Sequence, residues 1–191
     1  MGGRVHDAGR VLPPRRRRVR LAGEVQVKIA LAADLHFGSV PAGLAAELRE
    51  AMQRQMPSVI VIAGDLTLGA RKDEFEQAGE WLRSLSPAPL VIPGNHDLPY
   101  WNLIRRFTDP FRSFRAAAGA RTLMPLIEQP AGVVLGFNTA VSWQPHLRWQ
   151  EGAARQKDVH AARKALSSAG SGRFKVIAAH HPLLTIPGVA R

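Results

Sequence analysis

Short apolar runs alternate along the chain with longer segments in which apolar residues recur every three or four positions. The runs occupy residues 27–33, 59–63, 90–92, 133–137 and 174–179. Runs this short, with many β-branched residues, predict strands that are buried on both faces of a sheet. Strands of that kind are typical of parallel sheets covered by helices.

Three of the intervening segments carry apolar stripes with helical spacing. The stripes consist of Leu44, Leu48, Met52 and Met56; of Phe75, Ala78, Leu82 and Leu85; and of Val159, Ala162, Leu166 and Ala169. We interpret them as helix faces that pack on the core. Ser39 and Pro41 suit a helix start, so we expect the first helix to begin near them. The alternation predicts an α/β fold whose parallel strands are joined by right-handed crossovers.

Composition sets the broad class of the protein. The chain has 191 residues, 46% of them hydrophobic and 21% charged, which is ordinary for one globular domain. No apolar stretch approaches the ~20 residues of a membrane-spanning helix, and the N-terminus lacks the apolar block of a secretory signal. The absence of cysteine excludes disulfides and thiolate ligands. We therefore expect a cytoplasmic protein.

The net charge of +11 is concentrated at the N-terminus. Residues 1–20 contain seven arginines and one acid, Asp7, and this leaves only +5 for the rest of the chain. A short basic segment with little apolar surface does not offset its ordering entropy, so we expect residues 1–24 to be a disordered tail. The alternative for this tail is an arm that contacts phosphates. Nucleic acid is not the expected partner of the folded part.

Polar side chains follow four of the five predicted strands. They are Asp34 and His36; Asp65; Asn95, His96 and Asp97; and His180 and His181. Asp34 and Asp65 are 31 residues apart and Asp65 and Asn95 are 30 apart, about one strand-helix-strand unit each time. Because ligands bind at the carboxyl ends of such strands, we expect these side chains to converge. Carboxylate, imidazole and carboxamide groups together indicate a site for divalent metals.

The first two clusters carry weak signals when they are taken singly. Asp34 and His36 project to the same side of an extended segment, so both could bind one ion, but a capping Asp and a surface His would look the same. The two carboxylate oxygens of Asp65 could bridge two ions, although Gly-Asp after a strand is usually a turn. The spacing of all the clusters is what favours the metal site.

The third cluster is the most specific. A turn would need only Pro-Gly-Asn, so the added His96 and Asp97 suggest chemistry. Asn95 offers a neutral oxygen, His96 a proton that titrates near neutral pH, and Asp97 a carboxylate able to orient His96. His180 and His181 project to different sides, and a pair of core histidines is the alternative for them.

These four clusters together resemble the signature blocks of the calcineurin-like metallophosphoesterases over residues 27–187. The resemblance implies a four-layer α/β/β/α sandwich, two divalent ions (manganese, iron or zinc) and phosphoester hydrolysis. By the same resemblance, the metal ligands would be Asp34 and His36 for the first ion, Asp65 as the bridge, and Asn95 and His180 for the second. His96 would be the catalytic proton donor, supported by Asp97, and His181 matches a position that is not usually a ligand.

The sequence departs from the family pattern at one point. The family closes its site with a Gly-His-x-His block, and none occurs in these 191 residues. The remaining histidines, His6, His146 and His160, do not match that block. We therefore expect residues 25–191 to form a partial metallophosphoesterase domain, incomplete at its C-terminus. A non-catalytic scaffold with this fold, or an inactive fragment, is the alternative function.

The substrate is less well defined than the chemistry. The chain is similar to small bacterial phosphodiesterases of the cyclic-nucleotide and glycerophosphodiester type at Leu66-Thr67, Glu74-Phe75 and Pro93-Gly94-Asn95. We therefore expect a small phosphoester, most of all a phosphodiester, as substrate. A DNA-repair nuclease of the same superfamily would need a large further domain. The oligomeric state is left open.

Overall fold

Two small sheets and their flanking helices make up the described part of the chain, residues 27–41, 43–143 and 149–183, in a computed structural model. In chain order the elements are β1 (Ile29–Ala32), α1 (Leu44–Arg54), β2 (Val59–Ala63), α2 (Lys72–Arg83), β3 (Leu90–Ile92), α3 (Leu103–Thr108), α4 (Arg112–Ala118), β4 (Leu126–Gln129), β5 (Gly132–Phe137), α5 (Gln156–Ser168) and β6 (Phe174–Ala179). The expected N-terminal tail, residues 1–24, lies outside the described residues.

Each sheet contains at least one parallel pair, as the sequence predicted. The first has the order β1-β2-β3, with both pairs parallel, and Ile29 pairs with Val59 in the β1–β2 register. The second has the order β4-β5-β6, in which β5 and β6 are parallel and β4 is antiparallel to β5. Each of the parallel connections is long enough to contain a helix.

The two sheets pack face to face across an apolar layer. Side chains alternate along β2, so Val59 and Val61 contribute to this layer while Ile60 and Ile62 face the other way. Ile92 and Val134 complete the layer from the two sheets, and both are fully buried. Burial on both faces explains why β2 reads as a continuous apolar run.

Helices cover the outer face of each sheet. Phe75 and Trp81 from α2 and Phe114 from α4 pack with Ile60 on the first sheet. Ala162 from α5 packs with Leu135 and Phe137 of β5 on the second sheet. The order of layers is therefore helix, sheet, sheet, helix, which confirms the α/β/β/α fold class.

The predicted elements agree with the structure except at a few places. Three of the five strand ranges, 59–63, 90–92 and 174–179, are identical to those observed. The first helix begins at Leu44, three residues after Pro41, and the backbone N–H of Leu44 donates to the Pro41 carbonyl at 3.2 Å. The prediction that Met56 lies on the core face of this helix was wrong, because α1 ends before Met56 and Met56 is 81% exposed. The elements α3, α4 and β4 were not predicted.

Among the described residues, no helix combines the length and apolar character that a bilayer span requires. The longest of them, α5, has 13 residues.

The layer between the sheets should dominate the stability of the fold. Ile92→Ala removes a fully buried side chain from this layer, and we expect it to lower the free energy of unfolding by about 2–5 kcal/mol. Ile104, which is 80% exposed on α3, provides the matched control, and Ile104→Ala should cost less than about 1 kcal/mol. Urea denaturation followed by circular dichroism measures both, and equal losses would contradict this packing.

Candidate metal centre

The polar clusters lie at the carboxyl ends of β1, β2, β3 and β6. The segments that follow β1 and β2 remain hydrogen-bonded after the strands end. The backbone N–H of Asp34 donates to the Gly64 carbonyl at 3.1 Å, and that of His36 donates to the Asp65 carbonyl at 3.1 Å. This pairing places the first two clusters side by side, as the spacing in the sequence predicted.

Asp65 lies at the middle of the cluster. Its Oδ2 atom is 3.8 Å from Nε2 of His36 and 3.4 Å from Nε2 of His180. Asp34 Oδ1 lies 3.9 Å from the same His36 nitrogen. One ligand atom from each of Asp34, His36 and Asp65 falls within 4.8 Å of the others, a grouping that could hold a metal ion. His180, which is distant in sequence, is thus brought to the same carboxylate.

Backbone carbonyls around the end of β2 orient three histidine rings. The Nδ1 atoms of His180, His36 and His96 lie 2.8, 3.2 and 2.7 Å from the carbonyl oxygens of Ala63, Thr67 and Leu68, respectively. A carbonyl oxygen only accepts, so each Nδ1 carries the proton and donates it. In the neutral rings Nε2 is left with its lone pair, the arrangement that metal-binding histidines usually show.

Three residues of the candidate metal group occupy the left-handed region of backbone conformation. Asp34, His36 and Asp65 have φ values of 55°, 47° and 52°. Residues other than glycine rarely adopt this region, and such strain is often found at functional sites. Aspartate and histidine tolerate this region better than most other residues.

Asp97 does not orient His96, which corrects the role expected for it. Its carboxylate is fully buried and accepts hydrogen bonds from the backbone N–H groups of Leu66, Thr67 and Gly94 at 3.2, 3.0 and 3.0 Å. The Leu68 carbonyl takes the expected place of Asp97 at the His96 ring. Burial raises the pKa of Asp97 to about 6, against the effect of these donors.

A second buried carboxylate, Glu74, supports the same segment from the other side. It is 2% exposed, and its Oε2 accepts from the backbone N–H groups of Gly69 and Arg71 at 2.9 and 3.1 Å. Residues 66–71 are therefore held by Asp97 at one end and by Glu74 at the other. Arg71 and Glu74 are three positions apart, as in the first turn of a helix. This spacing is the only signal in the sequence for the contact between Glu74 and the Arg71 backbone.

Asp65 and His180 form a buried pair in which each residue stabilises the charged form of the other. Burial opposes the charged form of Asp65, but hydrogen bonds with His180 and with the His96 backbone hold its pKa below the usual value. Burial likewise opposes the charged form of His180, yet the hydrogen bond and the charge of Asp65 prevail and raise the pKa of His180 to about 9. A metal ion at this place would have to displace that proton.

Asn95 contacts His181, the residue that follows His180. Asn95 Oδ1 lies 3.2 Å from His181 Nε2, and the His181 ring is edge-on to the His180 ring at 4.7 Å between centroids. His181 is 7% exposed and its Nδ1 lies 2.7 Å from the hydroxyl of Thr139. Burial and the charge of His180 lower the pKa of His181 to about 4, against the opposing effects of Asp65 and the Gln150 backbone. The sequence did not predict the link to Thr139.

This geometry, with a carboxylate between two imidazoles at the ends of parallel strands, can be compared with known families. A model of calcineurin-like phosphoesterases matches residues 27–190. The chain belongs to this family. The comparison with curated proteins found no match.

Membership in the calcineurin-like phosphoesterases supports a metal-dependent hydrolase of phosphoesters. The group formed by Asp34, His36 and Asp65 fits that chemistry, since oxygen and imidazole ligands suit divalent ions. His160, the other described histidine, lies in α5 with its Nδ1 near the Gln156 carbonyl. It therefore takes no part in the cluster.

Gly94 should be essential for the position of Asp65. A Cβ atom at Gly94 would collide with the carboxylate and the backbone nitrogen of Asp65. We expect Gly94→Ala to reduce the affinity for manganese at least ~10-fold, because the side chain at the middle of the cluster must move. Gly69→Ala is the control, since its Cβ would meet only ordinary contacts. Calorimetric titration measures both variants, and unchanged affinity in Gly94→Ala would contradict the geometry.

The Asp65–His180 pair should make the metal-free protein more stable at neutral pH than at high pH. Folding raises the pKa of His180 from 6.5 to about 9, so its contribution is complete below pH 6.5 and is lost as the pH rises through 9. We expect His180→Gln to lower the free energy of unfolding by an extra amount on the order of 1–3 kcal/mol at pH 7 compared with pH 10. Urea denaturation with a chelator present provides the measurement. Equal losses at both pH values would show that the pair contributes nothing.

Proposed function

We propose that this protein hydrolyses a small phosphodiester at a dinuclear metal site. Asp34 and His36 would hold the first divalent ion, Asp65 would be shared, and Asn95 and His180 would hold the second. Manganese, iron and zinc all suit this mixture of oxygen and imidazole ligands. His96 would donate a proton to the leaving group.

The position of Asp65 is the observation that carries the proposal. A carboxylate oxygen that lies 3.8 Å from one imidazole nitrogen and 3.4 Å from another has a histidine on each side. Both Nδ1 atoms donate to backbone carbonyls, so both Nε2 atoms are directed to the shared carboxylate. A structural ion pair would need one histidine; two histidines around one carboxylate favour two ions.

When bound, two divalent cations polarise the phosphoryl oxygens and lower the pKa of a water molecule. The carboxylates of Asp34 and Asp65 partly neutralise that charge, while the neutral carboxamide of Asn95 adds none. The side chain of Asp34 is 60% exposed, so solvent and substrate reach the cluster from its side. Asp65 and His180, which are 4% and 9% exposed, form the floor.

The contacts of His96 support the role of general acid that we propose for it. Its Nδ1 donates to the Leu68 carbonyl, and its ring lies edge-on to the His36 ring at 4.9 Å. In the charged form Nε2 also carries a proton. The oxygen of a water molecule would bond to phosphorus and release one proton to the solvent, the phosphorus–oxygen bond to the leaving group would break, and the leaving oxygen would take the proton from His96 Nε2. Asp97 and Glu74 act indirectly, because they hold the segment that contains Leu68.

The substrate class follows from the family subtype that the sequence resembles. Thr67 and Glu74, which belong to that resemblance, both help to hold the segment beside His96. A cyclic nucleotide or a glycerophosphodiester is small, so its phosphorus atom could approach the cluster from the side of Asp34, where the cluster is open to solvent. These diesters have poor leaving groups, which makes a proton donor useful.

His96→Ala should separate proton donation from metal binding. We expect turnover of an alkyl phosphodiester, with manganese added, to fall by ~10²–10⁴ while the metal content is kept. Turnover of an aryl diester with a good leaving group should fall less, because its leaving oxygen needs no proton. Steady-state kinetics and elemental analysis of the same samples provide the readouts.

His160→Ala is the matched control, since His160 also donates to a backbone carbonyl but lies in α5. It should change neither turnover nor metal content. Loss of metal in His96→Ala would make His96 a ligand instead of the acid. No hydrolysis of any diester by the unmodified protein, with metal bound, would favour the non-catalytic scaffold.

A further inference from the structure

His181 lies next to the proposed ligand Asn95 without being part of the ligand set. The ring is 7% exposed, and its Nε2 is 3.2 Å from Asn95 Oδ1 although the two residues are 86 positions apart in sequence. An amide oxygen only accepts, so this contact requires a proton on Nε2. His181 therefore has the opposite tautomer to the neutral rings of His36 and His96, whose protons are on Nδ1.

Thr139 provides a reason for this difference. Its hydroxyl oxygen accepts the backbone N–H of His181 at 3.2 Å and lies 2.7 Å from His181 Nδ1. A hydroxyl that donates to Nδ1 leaves Nε2 as the protonated nitrogen of a neutral ring. Thr139 is itself 1% exposed, and it lies just beyond the end of β5. The hydroxyl thus selects the tautomer that can hold Asn95.

The ring also has little freedom to turn. A Cβ atom at Gly152 would collide with the ring of His181 and lie close to the Thr139 carbonyl, so the backbone there packs directly on the imidazole. The His180 ring closes the other side at 4.7 Å. A ring held in this way can fix the direction of the Asn95 carboxamide.

We propose that His181 is a positioning residue: Thr139 fixes its tautomer, and His181 Nε2–H then holds the Asn95 oxygen toward the second metal ion. An amide oxygen has two lone pairs, so it can accept from His181 and bind an ion at the same time. This inference rests on the proposed function, because it assumes that Asn95 is a ligand. It gives a role to the second histidine of His180-His181, which the family pattern leaves without one.

Two substitutions at position 181 separate the two ring nitrogens. The amide nitrogen of Gln reaches about as far as Nε2, so His181→Gln keeps a donor for Asn95. The shorter Asn places its amide near Nδ1, so His181→Asn keeps the contact with Thr139 and loses the one with Asn95. Thr139→Val removes the hydroxyl that selects the tautomer, whereas Thr139→Ser keeps it.

Titration with manganese, followed by electron paramagnetic resonance of the free ion, tests these variants. We expect His181→Asn and Thr139→Val to lower the affinity for one of the two manganese ions by ~10–100-fold and to leave the affinity for the other unchanged. His181→Gln and Thr139→Ser should stay within about 3-fold of the unmodified protein. Unchanged affinities for both ions in His181→Asn would overturn the proposal. An equal loss of affinity for both ions together with a lower melting temperature would also overturn it, because that result indicates a merely structural role.

The tautomer of His181 can be determined in the metal-free protein. Long-range proton–nitrogen correlation spectra of the metal-free protein, with the His181 signal assigned by its loss in His181→Gln, should show the proton on Nε2. A proton on Nδ1, or on both nitrogens, at pH 7 would overturn the proposal. If the unmodified protein bound fewer than two manganese ions, the dinuclear function would be wrong, while the spectrum would still decide whether His181 donates to Asn95.

Discussion

The end of β2 and the segment after it determine the geometry of the whole site. Carbonyl oxygens of Ala63, Thr67 and Leu68 accept the Nδ1 protons of three histidines that come from three other strand ends. Backbone carbonyls fixed by a buried sheet are rigid acceptors, so they set both the tautomer and the direction of each ring. Asp65 belongs to the same segment. One strand therefore positions the shared carboxylate and the imidazoles around it.

Two buried carboxylates maintain the shape of that segment. Asp97 and Glu74 together accept five backbone or side-chain donors from residues 66–71, in addition to Gly94. Burying a carboxylate is costly unless its oxygens are hydrogen-bonded, and here backbone N–H groups that would otherwise lack partners meet that need. The cost is visible in the raised pKa of Asp97, about 6. Both carboxylates thus hold residues 66–71 in place.

The strands and the converging clusters could be predicted from the sequence because both depend on local pattern. Apolar runs mark strands buried on both faces, and a polar residue after each run falls at the same sheet edge. β4 has alternating partial burial over only four residues, which leaves too weak a pattern. The partner of Asp97 was predicted wrongly because adjacency to His96 does not reveal that the carboxylate turns toward residues 30 positions earlier. The contact of His181 with Asn95 spans 86 positions and leaves no local signal.

Anomalous diffraction from crystals grown with manganese tests the central claim, that Asp65 is shared by two ions. We expect two peaks, one beside Asp34 and His36 and the other beside Asn95 and His180, with the Asp65 carboxylate in contact with both. A single peak, or two peaks of which one lies away from Asp65, would contradict it.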